Sequence, residues 1–485
     1  MINVRHFIDG EWADSADGAT FESVSPIDNA VIAQVARGGA ADADRAVAAA
    51  RRAFDSGPWP KMSPAARKKI MHAAASLIEE RLEDFATAET RDMGKPISEA
   101  RTKDVPRAAY NLRFFADFAE HTHTETYAKP WDKVMTYTLR EPAGVAACIS
   151  PWNFPLMLET WKIAPALALG NTVVLKPAEQ SPLTAAMMAQ AFADAGLPPG
   201  VFNVLQGFGP DEAGERLTEH PGVNLVTFTG ESATGRLIMA KAAGTLKRCS
   251  FELGGKSAAI VMADADLDRA IPGTIDGIFR NQGEVCLAGS RLFVQRPVYD
   301  EFCARYVAAA EALVVGDPRE PGTQVGPLVS AEHLDKVLSY LRLGETEGAK
   351  LLTGGHRLTE GPLAAGNYVA PTVFADVANT WRIAQEEIFG PVQVIAPFDD
   401  VDEAITLAND SRYGLAGMIW TTNLDTAHKV AREVRTGTMW VNCFFVRDLR
   451  APFGGMKDSG IGREGGLHSE EFFTEAKAVV IQFPS

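Results

Sequence analysis

One cysteine is set apart from the other four by its surroundings. Cys286 sits in FRNQGEVCLAGSR (279–291), a polar stretch with glycines on both sides and no second cysteine nearby. The thiolate is the competent nucleophile, and a free thiol of pKa about 8.5 needs only modest help from charges or dipoles. The bland alternative, a buried inert thiol, is the reading for Cys148, Cys249 and Cys303. Glu252, in FELGGKS (251–257), lies between apolar neighbours and ahead of a Gly-Gly turn. A glutamate in apolar surroundings binds its proton more tightly and can act as a base near neutral pH. Surface glutamates are far commoner, so read alone it is first a surface carboxylate. In ISPWNFP (149–155), Pro151 and Pro155 fix a loop around Trp152 and Asn153. An amide held that rigidly is a good oxyanion donor, and a structural turn with a packed Trp is the even alternative.

Three further stretches can hold a ligand. LVTFTG-ESATG-RLIMAKAA reads as a buried strand, Leu225–Thr229, that runs through Gly230 into a helix opening near Ser232, with Gly235 in its first turn. A helix N-terminus offers free N–H groups and a positive dipole end to a pyrophosphate. The spacing is GxxxxG rather than GxGxxG, so taken alone the pair reads first as a tight turn. In LKPAEQS (175–181), Lys176 ends a strand and Pro177 stops the pairing, which leaves Lys176 and Glu179 on the edge where open α/β sheets bind ligands. There Lys176 can bond ribose hydroxyls, while Glu179 can take the 2′- and 3′-hydroxyls and repel a 2′-phosphate. A solvated Lys–Glu pair is the plain alternative. In AQEEIFGPV (384–392), Glu387 can bond a second ribose and Phe389 can pack on a planar ring, or the segment is simply a helix end.

The elements that carry these residues alternate. GVAACIS, NTVVLKP, FNVLQG and LVTFTG are strand-like, each followed by helical periodicity, as in βαβ units on a parallel sheet. A second series runs from about residue 257 to 440 through SAAIVMA, SRLFVQ, AKLLTGG, PVQVIAPF, GLAGMIWTT and GTMWVN. Before them, HFIDGEW to AQVA reads as strands and a hairpin. Asp42-Ala43-Asp44 opens an Ala-rich helix through Ala53, Ser63-Pro64 opens another through Glu80, and a third runs through Phe118. Residues 120–140 and the end, EEFFTEAKAVVIQF, are strand-like. At 485 residues, two or three domains are expected. A net charge of −15 speaks against a nucleic-acid surface, and no apolar run reaches membrane-span length. Five cysteines without a secretory leader pattern point to reduced thiols in the cytoplasm, and no metal-ligand spacing is present.

In succession, PWNFP, KPAE, FTGxxxxG, ELGGKS, GExCxAGSR, EEIFGP and PFGGxKxSGIGREGG resemble the aldehyde dehydrogenase superfamily over essentially the whole chain. Within it, DVPRAAYNLRFFA, YTLREPAGV, VGDPREPGTQVG and VRDLRAPFGG are most similar to the (5-carboxymethyl-)2-hydroxymuconate semialdehyde dehydrogenases of aromatic catabolism. The resemblance implies an α/β fold. A Rossmann-type NAD-binding domain would take 1–118 and 141–252, a catalytic α/β domain 253–466, and a β oligomerisation element 119–140 and 467–485. It implies a homodimer or homotetramer, NAD as cofactor, no nucleic acid and no membrane. It makes Cys286 the nucleophile that forms a thiohemiacetal and then a thioester, Asn153 the oxyanion donor and Glu252 the base for hydrolysis. Lys176 and Glu179 would bind the adenosine ribose and Glu387 the nicotinamide ribose, with Trp152, Gly230, Glu231, Gly235, Leu253 and Phe389 around the cofactor. Two positions depart from the frequent pattern: Glu231 stands for Ser, which touches the seating of the phosphates, and Glu284 stands for Gln.

Three rivals bear on this. A thioester-capturing, CoA-acylating relative generally lacks the glutamate of ELGGK, which is present here as Glu252. A non-catalytic binding or structural descendant would not be expected to keep Asn153, Glu252, Cys286 and Glu387 together. For the substrate, Arg107 and Arg447 match the semialdehyde branch and suit carboxylates, whereas Arg450 reads as readily as an inter-domain salt bridge. Phe154, Trp161, Phe444 and Phe445 can instead line an apolar tunnel for an uncharged aromatic or aliphatic aldehyde.

Overall fold

The computed structural model describes residues 2–484. The strands expected as apolar runs are buried along their whole length: Val145–Ile149, Thr172–Lys176 and Leu225–Thr229 have no exposed position. Burial on both faces is what a parallel sheet covered by helices requires. These strands form the centre of an eight-stranded sheet, flanked by Arg248–Glu252 and Phe202–Val204, with parallel pairing across all five. In chain order the five lie 5-4-1-2-3, so the order reverses beside Val145–Ile149. Loops leaving the carboxyl ends of strands at such a reversal diverge and open a crevice between them. The His6–Ile8 and Glu11–Ala13 hairpin extends one edge of this sheet, and Gly460–Ile461 pairs antiparallel with Arg248–Glu252 at the other.

The second series gives a seven-stranded sheet, ordered Lys350–Thr353, Thr372–Ala375, Val392–Phe398, Arg291–Gln295, Ala258–Val261, Ala416–Trp420, Thr438–Val441. All neighbours are parallel except the first pair. A three-stranded sheet joins Thr474–Gln482, Val134–Pro142 and Thr126–Lys129. The C-terminal strand thus pairs along its nine residues with 134–142 of its own chain, while its other edge pairs with no strand of the described residues.

Two strands of four residues or more in the large sheets had no signal in the sequence. Arg248–Glu252 is short and half polar, and Thr372–Ala375 follows a proline; each is a strand because flanking strands supply its hydrogen bonds. The first long helix begins at Ala40 rather than Asp42. Gly39 caps it, and Asp42 reaches back to accept the Gly39 N–H at 3.0 Å, so the acidic residue closes the cap from inside the first turn. At Pro64–Glu80 the expected cap holds, with Ser63 Oγ accepting from Ala66 N at 3.2 Å.

Candidate active site

A cavity of about 500 Å³ opens at the strand reversal, between the loops that leave Val145–Ile149 and Leu225–Thr229. At one end, Lys176 closes its strand with Nζ donating to the Pro177 carbonyl at 2.8 Å and lying 3.6 Å from Glu179 Oε2. Burial lowers the Lys176 pKa against the pull of that carboxylate. Next along the wall, Gly230 leads into the Ser232–Ala242 helix with Glu231 at the cap. The Gly230 N–H is already given to the Glu252 carbonyl at 3.1 Å, so any anion must use the N–H groups of the following turn. Gly235 is not on the wall. A Cβ there would meet Leu253 at 2.8 Å, so its role is to let the helix close on Leu253, which does line the cavity.

Glu387 and Phe389 form the other end. Glu387 Oε1 accepts from Gly255 N at 2.8 Å, and burial pushes its carboxyl up to about 7. Phe389 has φ +61, a strained backbone for an aromatic residue. Its carbonyl accepts from His333 Nε2 at 2.6 Å, and its ring meets Trp152 edge-on, with centroids 5.3 Å apart. His333 and Lys336, from an ordinary amphipathic helix at Ala331–Glu347, complete the wall. No motif marks either residue in the sequence.

Cys286 lines the cavity and also packs against the apolar cluster that holds Phe154, Phe444 and Phe445. Burial pushes its thiol up to about 12, with the Glu387 and Glu252 carboxylates adding to the effect and Arg447 opposing it. Asn153 is buried, with Nδ2 donating to the Glu284 carbonyl at 2.8 Å and its own carbonyl accepting from Asn281 Nδ2 at 3.0 Å. One amide hydrogen is thereby fixed, which orients the second. Asn281 and Gln282 hold φ of +49 and +55 in the loop ahead of Cys286, backbone strain of the kind that gathers at functional sites. The Glu284 carboxyl is fully buried, accepts from Val329 N at 2.9 Å and ties the loop down. Beneath the Asn153 loop, Lys95 pairs with Asp104 and sets its ammonium 3.9 Å from the Phe154 ring centroid.

Glu252 ends its strand with both carboxyl oxygens buried and without hydrogen-bond partners among the described residues. Burial, and then Glu464, raise its pKa well above the usual carboxylate range, against Lys162, Arg447 and Arg463. Lys162 Nζ in turn holds Glu464 Oε1 and Thr227 Oγ1, each at 2.9 Å, a network that no local motif announces.

Arg447 does not line the cavity and lies over the rings of Trp161 and Phe453, at 4.7 and 3.6 Å. Its Nη2 is buried with no hydrogen-bond partner among the described residues. Arg107 is anchored through Nε to Asn111 Oδ1 at 2.9 Å and repels Arg447. Arg450 is turned to solvent in a pair with Asp448 at 2.6 Å and belongs to neither group. Phe154 stacks on Phe445 at 6.0 Å, and Phe444 joins them at 5.5 Å.

Comparison with known proteins places this geometry. Residues 12–479 match the model of the aldehyde dehydrogenase family. A 2-hydroxymuconic semialdehyde dehydrogenase of Pseudomonas sp. (strain CF600) is 50% identical, covering 99% of this chain and 100% of that one. A mitochondrial benzaldehyde dehydrogenase of Antirrhinum majus is 47% identical over 98% of this chain and 88% of its own. The crystal structure of an indole-3-acetaldehyde dehydrogenase complexed with NAD⁺ superposes with a TM-score of 0.97 at 46% identity, covering 100% of this chain and 97% of the other. Sequence, fold and site geometry therefore agree that the chain belongs to the aldehyde dehydrogenase family.

Proposed function

We propose that the chain oxidises a carboxylated muconic-type semialdehyde to the acid with NAD⁺, and that Arg447 and Arg107 hold the substrate carboxylate. The observation that carries this reading is the buried, unpartnered Nη2 of Arg447, close enough to Cys286 to weigh on its thiol. A buried guanidinium N–H left without an acceptor is costly, and a carboxylate bound there removes the cost. Relatives of similar identity act on charged and uncharged aldehydes by name, so the arginines rather than the likeness decide the substrate class.

The residues present fit a dinucleotide. The crevice lies at a strand reversal, a helix N-terminus faces it, and carboxylates at both ends can take ribose hydroxyls. When bound, the cofactor accepts a hydride. Cys286 attacks the aldehyde carbon, and Asn153 Nδ2 with the Cys286 backbone N–H steadies the oxyanion. After the hydride has left, the thioester on Cys286 is hydrolysed by a water from which Glu252 takes the proton. Aldehyde, oxidised cofactor and water thereby give acid, reduced cofactor and one proton.

Replacing Arg447 or Arg107 by alanine should lower kcat/KM for a carboxylated semialdehyde by roughly tenfold to a hundredfold, since charge-assisted bonds contribute about 1.5–3 kcal/mol and tenfold is about 1.4. An uncharged aldehyde should barely respond. Lysine at 447 should rescue only in part, because a point charge does not reproduce the planar fork. Equal losses for both substrates would make the arginines structural.

NAD⁺ should be preferred over NADP⁺, because Glu179 on the cavity wall faces the adenosine ribose and repels a 2′-phosphate. Glu179→Ser should narrow the gap in kcat/KM, and a wild-type preference for NADP⁺ would refute the role.

Assembly belongs to the same proposal. Copies of the chain join as a homodimer or homotetramer, in the cytoplasm, through the open edge of Thr474–Gln482, where Val480 is 65% exposed. Sedimentation equilibrium should show no monomer at micromolar concentration, and a monomeric chain would dismiss the interface.

A further inference from the structure

One ion pair of the cavity wall joins two helices. Glu231, at the cap of Ser232–Ala242, and Lys336, from the Ala331–Glu347 helix on the opposite wall, approach to 3.4 Å, and both residues line the crevice. Glu231 makes no side-chain hydrogen bond to its own helix. Its carboxylate is turned instead to Lys336, so the helix N-terminus faces the cavity with a negative charge beside it. The two charges act with opposite sign on Glu387 at the far end of the crevice, which places both within its field.

We propose that Glu231 sets how fast the reduced cofactor leaves, by competing with its pyrophosphate for Lys336 and for the end of the Ser232–Ala242 helix. The proposal rests on the reading of the crevice as the dinucleotide site. An exposed pair at this distance is cheap to open, so it does not bar entry. Its lasting effect is on the occupied site, where a carboxylate stands next to a pyrophosphate in a partly desolvated crevice and like charges repel strongly. Lys336 offsets most of that repulsion, so the wild type binds moderately and releases readily. Product release limits turnover in many enzymes, which gives the carboxylate a use at this helix cap.

The test measures NADH binding by fluorescence titration and release by stopped-flow displacement, in wild type, Glu231→Ser, Lys336→Met and the double variant, at low and high salt. Glu231→Ser should lower both Kd and the release rate roughly tenfold at low salt, and the gain should shrink as salt screens it. Lys336→Met should weaken binding by about the same factor, and the double variant should return to within about threefold of wild type. ADP-ribose should show the same pattern, whereas adenosine, lacking the pyrophosphate, should bind all four proteins alike. A Glu231→Ser variant within twofold of wild type in Kd and release rate at every salt concentration would overturn the proposal. So would an equal shift for adenosine, which would reveal a general repacking of the crevice. Failure of the wild type to bind NADH at all would instead remove the cofactor reading on which the proposal stands.

Discussion

Cys286→Ala is expected to abolish dehydrogenase turnover, by a factor of at least about 10⁴, while NAD⁺ binding persists. The expectation does not rest on acidity. Burial pushes Cys148 up to about 12, the same level as Cys286. What separates them is position, since Cys148 is walled inside the central sheet and Cys286 lines the cavity. A thiol held that high is protonated at neutral pH, so attack needs a group to take its proton, and with Glu252 kept for hydrolysis Glu387 is the other carboxylate that bears on it. Alanine at Cys148, Cys249 or Cys303 should leave catalysis largely intact. Steady-state NADH formation and cofactor titration together check the assignment, and normal turnover without the Cys286 thiol would end it.

Glu252→Gln should release one equivalent of NADH per active site and then stall. Hydride departure needs no base, but hydrolysis of the thioester does, and a positioned base contributes about 10²–10⁴-fold. Mass spectrometry of the stalled protein should show the acyl group on Cys286. The pH dependence is a second readout. Burial raises the Glu252 pKa well above the usual carboxylate range, so the ionised, base-competent fraction grows as pH rises. Wild-type deacylation should therefore climb with pH through that range, and the glutamine variant should lose this limb. Turnover at the wild-type rate, without an adduct, would exclude the role.

The residues legible from sequence share a physical trait: each stands where glycine or proline breaks a strong periodicity. Asn153 is flanked by prolines, Glu252 precedes Gly-Gly, and Glu387 precedes Gly-Pro. Punctuation of that kind marks the strand ends and loops where open α/β sheets present their chemistry. The rest depends on long-range contact. Lys162 meets Glu464 across 302 positions, and nothing local to either residue announces the other. His333 and Lys336 sit on a helix whose pattern is that of any surface helix, and only its packing across the crevice gives them a part. Gly235 shows the converse: the resemblance put it at the cofactor, whereas the structure uses it for close packing on Leu253.

The strand that ends in Glu252 pairs on one side with Gly460–Ile461, and Leu253 N donates to the Ser459 carbonyl at 2.9 Å. A Cβ on Gly454 would come within 2.8 Å of Glu252 Oε1. The surroundings of Glu252 are therefore completed by residues made some two hundred positions after it. At about 5–20 residues per second, the nucleophile exists for on the order of ten seconds or more before those surroundings can form. A nascent chain then carries Cys286 and Glu252 without the strand that holds Glu252 in place. Truncation or stalled synthesis between residues 287 and 459 yields a protein that retains Cys286, Glu252 and Asn153 yet lacks the strand that pairs beside Glu252.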